Sequence, residues 1–186
     1  MNAFATHFSF EFKTGLRNPT LMMMNYLFPL GFYALMGLVM TQINPVFKET
    51  MIPAMLIFTV LASCLLGLPN ILVESRERGI YRSYKINGVT AISLLAIPTL
   101  TTIFQALIAS SIIAITAGPL FDAATPIYWG AFALIALLTA LTIGAIGALI
   151  GVVSSSARAV VLWSQLIFLP SVLLGGLMMP LAILPE

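Results

Sequence analysis

Charged residues that could take part in recognition or proton chemistry are concentrated in one short segment of the chain, from Glu74 to Lys85. Carboxylates and basic side chains alternate there over about two to three helical turns, and two tyrosines lie among them. A carboxylate beside arginines forms directional, charge-assisted hydrogen bonds. The segment therefore suits contact with a protein surface, such as that of a soluble partner. The alternative is a solvated loop whose basic residues only set membrane topology.

Side chains that catalyse reactions or bind metals form no recognisable motif in the sequence. There is no H-E-x-x-H, no G-x-S-x-G and no glycine-rich phosphate-binding loop. Cys64 is the only cysteine and His7 the only histidine, so an intrachain disulfide or a cysteine-based metal site is not expected. We predict no catalytic, cofactor-binding or metal-binding residues in this chain, and an intramembrane enzyme is the least favoured function.

The composition assigns the chain to a membrane. Of its 186 residues, 60% are hydrophobic and 8% are charged, and the mean hydropathy is +1.08. Soluble domains contain roughly 25% charged residues, and a water-soluble fold of this length could not bury so much apolar surface. The formal net charge of +2, with no basic stripe interleaved with aromatics, argues against nucleic acid as a partner.

Five long windows without charged residues define the elements that must position the charged segment. Each exceeds the ~20 residues that a helix needs to cross about 30 Å of hydrocarbon, and none shows the alternation of a barrel strand. We predict an all-α, polytopic helical bundle that forms a single transmembrane domain over residues 1–186. The predicted elements are an interfacial helix at 3–18, spans at about 21–41, 52–73, 95–118, 127–153 and 159–179, and a loop at 74–94 that contains the charged segment.

The basic residues predict the orientation of the bundle. With the N-terminus in the cytoplasm, seven of the eight lysines and arginines lie on the cytoplasmic side, and only Lys48 lies outside. This distribution agrees with the positive-inside rule. The first apolar run, from about Leu21, is not followed by a small-x-small cleavage site, so we expect a span and not a signal peptide. The predicted location is the inner (plasma) membrane of the cell, as a multi-pass protein.

Aromatic residues recur every four positions before the first predicted span. Phe4, Phe8, Phe12 and Leu16 form one stripe, and the polar residues of this segment lie off it. Such a helix is too polar to span a bilayer but can lie in the headgroup plane with its aromatic side chains towards the lipid. The alternative is a frayed N-terminus.

The interiors of the predicted spans contain no charged residue, which argues against a proton-coupled transporter or a pump that works alone. Their mild polarity includes Thr101, Thr102 and Gln105 in the third span and Gln165 in the fifth. These four are candidates for lining a pathway for an amphipathic molecule, or they tie helices together by hydrogen bonds. In the fourth span, small residues recur every four positions around Gly147, which fits packing within the chain and dimerisation equally well.

Three features, in the expected order along the chain, resemble the permease subunits of type-two (ABC-2-like) ABC transporters, which are mostly bacterial exporters. The first is the amphipathic N-terminal segment ending in Arg17-Asn18-Pro19. The second is Glu74-x-Arg76-Glu77-Arg78-Gly79, similar to the acidic-basic-acidic-x-Gly signature of the family's ATPase-contacting loop. The third is Gly175-Gly176-Leu177-Met178-Met179-Pro180 followed by Leu184-Pro185, similar to a pattern after the family's fifth span. The resemblance covers essentially the whole chain.

The resemblance implies alternating access driven from outside the chain. Two permease units, identical or different, would form a pathway for an amphipathic, drug-like, lipid-linked or polysaccharide substrate, and separate cytoplasmic ATPases would bind and hydrolyse ATP. This chain would bind no cofactor itself, and membrane lipid would surround it. The loop at 74–94 would be the cytoplasmic coupling loop, and Glu77 is the expected main contact with the ATPase. The implied site residues are Glu74, Arg76, Glu77, Arg78 and Gly79 for ATPase coupling, and Gly175, Gly176, Pro180 and Pro185 for an external gate region.

The predicted number of spans departs from that family. Its permeases have six spans with both termini inside, whereas five are predicted here, so the resemblance implies that the last external loop and the final helix are lacking. A fragment, a truncated product and a divergent form all fit the residues. The competing function is a non-transporting structural or assembly protein of the membrane. It explains the hydrophobicity but not the charged segment after the second span.

Overall fold

The computed structural model describes residues 3–81 and 90–175. These residues form six helices of at least 15 residues and no strands. Five of the six are long and apolar enough to cross a membrane. The predicted all-α helical bundle is therefore confirmed. The helices are α1 (Ala3–Arg17), α2 (Pro19–Ile43), α3 (Phe47–Glu77), α4 (Ala91–Phe121), α5 (Trp129–Val153) and α6 (Ala157–Leu174).

The second span is longer than its charge-free window, because α3 continues through charged residues at both ends. It extends to Glu77, so the first four residues of the predicted coupling loop at 74–94 form the last turn of a helix instead. Long charged side chains at a helix end reach water while the backbone stays hydrogen-bonded. α4 begins at Ala91 and not near residue 95, since the Thr90 side chain accepts a hydrogen bond from the Ser93 amide at 3.4 Å and caps the helix. Residues 82–89 of the predicted loop and 176–179 of the last predicted span lie outside the described residues.

Two π-helical segments, Met23–Leu27 in α2 and Ala62–Gly67 in α3, interrupt the regular helices. Each ends two residues before a proline, Pro29 or Pro69. A proline donates no backbone hydrogen bond and its ring collides with the carbonyl four residues earlier, so a locally widened helix accommodates it. The two widened segments contact each other, and this contact brings the side chain of Asn25 into the interior.

The second span, α3, is the centre of the bundle. In its apolar 18-residue window 83% of residues are buried, against 22–39% in the other four spans. It supplies the largest fully buried side chains, which include Met51, Met55 and Leu65. α3 packs against α4 and α5 over much of its length. A displacement of α3 would therefore also shift these two helices, because packed interiors transmit strain.

The small residues of α5 pack against α3 within the same chain. A Cβ atom on Gly147 would overlap the backbone carbonyl oxygen of Cys64, and a Cβ on Gly151 would lie 2.7 Å from Leu72 Cδ1. Glycine at these positions lets the two helix backbones approach closely. The sequence alone could not say whether the glycine pattern serves packing within the chain or dimerisation. At Gly147 and Gly151 it serves packing within the chain.

The spans place two different sets of connections at the two ends of the bundle. The end that contains Glu77 also contains the start of α4 and the α5–α6 connection at 154–156, and we name it the charged end. The opposite end contains the connections at 44–46 and 122–128. There, Lys48 Nζ lies 3.3 Å from Asp122 Oδ2, and the Lys48 carbonyl accepts a hydrogen bond from the Ala124 amide at 3.0 Å.

Candidate functional site

Two exposed residues of the charged end form an ion pair along the last turn of α3. Arg78 Nη2 lies 2.5 Å from Glu74 Oε1, one turn earlier in the chain. Both side chains remain more than half exposed to solvent. An exposed ion pair of this kind adds little to stability. It leaves a carboxylate and a guanidinium group accessible to a partner.

Arg76 and Glu77 turn towards the α5–α6 connection. The Arg76 guanidinium donates to the Val152 carbonyl at 3.2 Å and to the Ser154 carbonyl. Glu77 Oε1 accepts a hydrogen bond from the Ala157 amide at 3.3 Å, at the first residue of α6. A carboxylate at a helix N-terminus meets unpaired amides and the positive end of the helix dipole. These two side chains therefore connect the end of α3 to the start of α6, and the Glu77 side chain is also exposed.

Gly79 ends α3 by backbone geometry. Its φ is +70°, a left-handed conformation that glycine adopts without steric cost. The Gly79 amide donates to the Arg76 carbonyl at 3.0 Å, and open space surrounds the position of a Cβ atom. A residue with a side chain would have space here, but its backbone would be strained by the positive φ. The backbone conformation thus explains why the sequence motif has a glycine at position 79.

A polar groove separates the charged end of α3 from the N-terminal helix. Its volume is about 270 Å³, and its ionisable lining residues are His7, Glu11, Glu74, Arg78 and Tyr81. Burial raises the pKa of Glu11 above its ordinary 4.5, and the nearby His7 partly offsets this effect. The groove therefore joins α1 to the same charged residues that the sequence singled out.

The stripe of α1 contacts a span and not lipid alone. The rings of Phe8 and Phe12 pack edge-on against Phe104 of α4, with centroids 6.2 Å and 5.6 Å apart. A Cβ on Gly15 would lie 2.7 Å from Gln105 Nε2. The N-terminal segment is an ordinary helix over Ala3–Arg17, so it is not frayed there.

Three of the four candidate pathway residues lie together, and the fourth does not. Thr101, Thr102 and Gln105 are buried on α4, and residues of α1, α2 and α3 lie around them. Gln165 is exposed on α6 and is not among the residues that line the space around the other three. Asn25 Nδ2 donates to Gln105 Oε1 at 2.6 Å inside the bundle. The polar side chain of Gln105 therefore joins α4 to α2 by a hydrogen bond.

Asn25 is an interior polar residue that the sequence analysis missed. It is 1% exposed and its partner Gln105 is 80 positions later in the chain. A lone asparagine within an apolar run is itself a signal, because a carboxamide in hydrocarbon requires a partner. The sequence could not identify that partner among the glutamines, serines and threonines of the other spans.

A second cavity, of about 500 Å³, opens between α3, α4 and α5. Its walls are mainly aliphatic and aromatic, with Leu56, Trp129 and Phe132 among them, and Ser110 contributes a hydroxyl group. The Ser110 Oγ atom is buried without a hydrogen-bond partner. Ser111, whose hydroxyl donates to the Leu107 carbonyl at 2.8 Å, also lines the cavity. Apolar walls with a few polar groups suit the apolar part of an amphipathic molecule.

The gate region predicted after the last span is only partly described. Gly175 follows the end of α6, with its amide donating to the Ser171 carbonyl at 3.1 Å. Gly176, Pro180 and Pro185 lie outside the described residues. Over residues 3–81 and 90–175, no group of three or more His, Cys, Asp or Glu side chains is arranged to hold a metal ion.

Comparison with known proteins gives one match. The sequence model of the protein family described as ABC-2 type transporter matches residues 2–186, which is nearly the whole chain. No curated protein and no solved structure matches the chain. The family match covers the N-terminal helix, all five spans and the charged end.

Proposed function

Since the chain belongs to the ABC-2 type transporter family and is therefore a multi-pass transport permease, we propose that it is the membrane subunit of an ATP-driven exporter. In this proposal a separate cytoplasmic ATPase binds and hydrolyses ATP, and this chain forms the pathway with a second permease subunit, identical or different. The N-terminus and the charged end lie in the cytoplasm, and the protein resides in the inner (plasma) membrane of the cell. Membrane lipid surrounds it.

The observation that carries the proposal is the arrangement of the charged end. Glu74 and Arg78 are exposed on the last turn of α3, beside the groove that α1 borders. Both signs of charge are thus available on a helical surface that a soluble protein can contact. Charge complementarity of this kind sets the partner and the register of an interface. The five basic residues described at this end, against Lys48 alone at the other, support its cytoplasmic orientation.

In this proposal the contacts of Arg76 and Glu77 transmit a movement of the ATPase from α3 to α5 and α6. Arg76 binds carbonyl groups at the end of α5, and Glu77 binds the first amide of α6. A displacement of the charged end would therefore move α3, the most buried span, together with the start of α6. In this proposal the coupling residues Glu74 and Arg78 face the partner, whereas Arg76 and Glu77 also transmit motion within the chain.

The substrate class in this proposal is amphipathic, drug-like, lipid-linked or polysaccharide. Its support is the mild polarity of spans that are otherwise apolar, together with the 500 Å³ cavity that contains the unpartnered hydroxyl of Ser110. Pockets of ~300–1,000 Å³ hold drug-sized ligands. No charged side chain of the described residues lines that cavity, so a neutral or apolar portion of the substrate would occupy it.

The first test is co-purification with an ATPase that carries G-x-x-x-x-G-K-[ST] and is encoded in the neighbouring reading frame. The variant Glu74→Ala/Arg78→Ala removes the exposed ion pair. We expect it to weaken ATPase binding at least about tenfold, which corresponds to about 1.4 kcal/mol at an interface with charge pairs. The matched control is Glu49→Ala, an exposed glutamate at the opposite end of α3. Equal binding by both variants would refute the coupling assignment.

Glu77 needs its own pair of variants because it also binds the start of α6. Glu77→Gln keeps an oxygen that accepts the Ala157 amide but removes the charge, whereas Glu77→Ala removes both. Loss of ATPase binding by Glu77→Gln at unchanged thermal stability would assign the carboxylate to the partner. Normal binding by Glu77→Gln, with loss only in Glu77→Ala, would assign Glu77 to transmission through α6. If the wild-type chain binds no ATPase, a non-transporting structural or assembly role replaces the proposal.

A further inference from the structure

A very small cavity lies where the N-terminal helix α1 packs against α4. Its volume is about 10 Å³, which is on the order of the space that a single water molecule needs. Polar residues from both helices line it, namely Glu11 on α1 and Thr101, Thr102 and Gln105 on α4. The proposed ATPase contact does not involve this cavity, and the larger cavity proposed for the substrate is lined by other residues.

Two of the polar atoms in this lining have no hydrogen-bond partner. Thr101 Oγ1 and Gln105 Nε2 are both buried and unpaired, and their residues are 5% and 2% exposed. The other end of the Gln105 amide is occupied, because its Oε1 accepts from Asn25. Buried donors and acceptors in proteins are nearly always paired with protein or with ordered water. Two unpaired atoms on residues that line one cavity therefore point to a small polar molecule bound there.

The chemistry of the lining selects the ligand. Gln105 Nε2 can only donate a hydrogen bond, the Thr101 hydroxyl can donate or accept, and an ionised Glu11 can only accept. A metal cation could not satisfy Gln105 Nε2, since a cation accepts no hydrogen bond. Water both accepts and donates, and three polar partners are within the usual two to four of a buried water.

Gly15 sets the approach of the two helices at this point. A Cβ atom there would lie 2.7 Å from Gln105 Nε2, closer than real Cβ contacts. The glycine thus lets the Gln105 amide reach the surface of α1. Partial burial of Glu11 raises the pKa of its carboxyl group, because desolvation disfavours the charged form.

We propose that this cavity is a binding site for one ordered water molecule that joins Glu11 on α1 to Thr101 and Gln105 on α4. The water accepts a hydrogen bond from Gln105 Nε2 and exchanges hydrogen bonds with the Thr101 hydroxyl and the Glu11 carboxyl group. Through the bond between Gln105 and Asn25, the same network reaches α2. The N-terminal helix is therefore fastened to the spans by a hydrated polar contact in addition to the Phe8, Phe12 and Phe104 rings.

A crystal structure of the full chain in a lipid mesophase, at a resolution that shows water, tests the site directly. We expect one water within about 2.7–3.2 Å of both Thr101 Oγ1 and Gln105 Nε2. A dry cavity, or Gln105 Nε2 bonded directly to Glu11 or to the α1 backbone, would overturn the proposal.

Hydrogen exchange of the α1 amides in lipid nanodiscs tests the consequence. Thr101→Val keeps the shape of the side chain and removes its hydroxyl, and we expect α1 to exchange about five- to tenfold faster. Thr101→Ser should restore slow exchange. The matched control is Thr59→Val, because the buried Thr59 hydroxyl already donates to the Met55 carbonyl at 2.7 Å and lies outside this cavity. Wild-type exchange in Thr101→Val, or equal acceleration by Thr59→Val, would contradict the proposal.

Discussion

The close approach of α5 to α3 at Gly147 makes Gly147→Ala an informative substitution. The added methyl group would overlap the carbonyl oxygen of Cys64, and it would lie 3.0 Å from the carbonyl carbon. Both atoms belong to the backbone of the π-helical segment of α3, so no side-chain rotation can make room. The two helices must separate instead, in a bundle whose centre is α3.

The cost of that separation follows from the surrounding contacts. Forcing a methyl group into a packed interior costs about 1–3 kcal/mol, and moving α5 away also weakens its contacts at Gly144 and Gly151. A gain in helix propensity of up to about 1 kcal/mol offsets a part. Because the overlap is with backbone atoms, the cost should lie at the upper end of that range, and we expect a net loss of about 2 kcal/mol. Gly144→Ala should cost less, because its nearest neighbour is the end of the flexible Ile103 side chain.

Gly130→Ala is the control, with the same chemical change on the same helix. No atom lies within 4 Å of a Cβ at that position, so the free energy of unfolding should stay equal or rise by up to about 1 kcal/mol. Reversible unfolding in mixed SDS micelles, followed by tryptophan fluorescence, measures both variants. Equal stability of the two variants, or loss of dimers by Gly147→Ala at unchanged monomer stability, would refute the intrachain packing argument.

Three further outcomes are expected. Asn25→Leu leaves the buried Gln105 amide without its partner and should lower the free energy of unfolding by about 1–2 kcal/mol. In a double-mutant cycle, the loss in Asn25→Leu/Gln105→Leu should be smaller than the sum of the losses in the two single variants. Burial raises the pKa of Glu11 above 4.5, so this group favours docking of α1 below pH 4.5 and that contribution is lost as pH rises through its folded-state pKa. Hydrogen exchange of α1 should therefore accelerate with pH, after correction for the intrinsic rate, and Glu11→Gln should remove this dependence. Asp122 has φ of +56°, a left-handed conformation that glycine adopts easily and a β-branched residue does not. Asp122→Gly should therefore be tolerated, whereas Asp122→Val should lower the free energy of unfolding by about 1–2 kcal/mol.

The orientation of the charged segment is the clearest case of information that the sequence did not contain. Its composition predicts a surface for a partner, and the family prediction made from its motif is confirmed by the match over residues 2–186. The sequence indicated helical turns in this segment, but not that its first residues continue the helix of the second span. Nor did it reveal that Arg76 and Glu77 contact the α5–α6 connection, 76 to 80 positions later. The role of these residues towards an ATPase stays a prediction.

Local patterns alone determined that this protein is a helical membrane bundle and where its spans lie. The bilayer imposes the same requirement on each span separately, namely about 20 apolar residues with every backbone group paired internally. A run of residues without charges therefore identifies a span whatever its neighbours are. The charged ends are equally local, because charged side chains are excluded from the hydrocarbon.

Only the tertiary structure decided which side chains meet. It paired Asn25 with Gln105, separated Gln165 from the other candidate pathway residues, and used Gly147 to bring α5 against α3. These outcomes depend on the rotation and register of each helix about its own axis. Apolar residues cover every face of these spans, and lipid is as apolar as leucine, so hydrophobicity cannot select a face. Close packing and a few hydrogen bonds between distant residues make that selection.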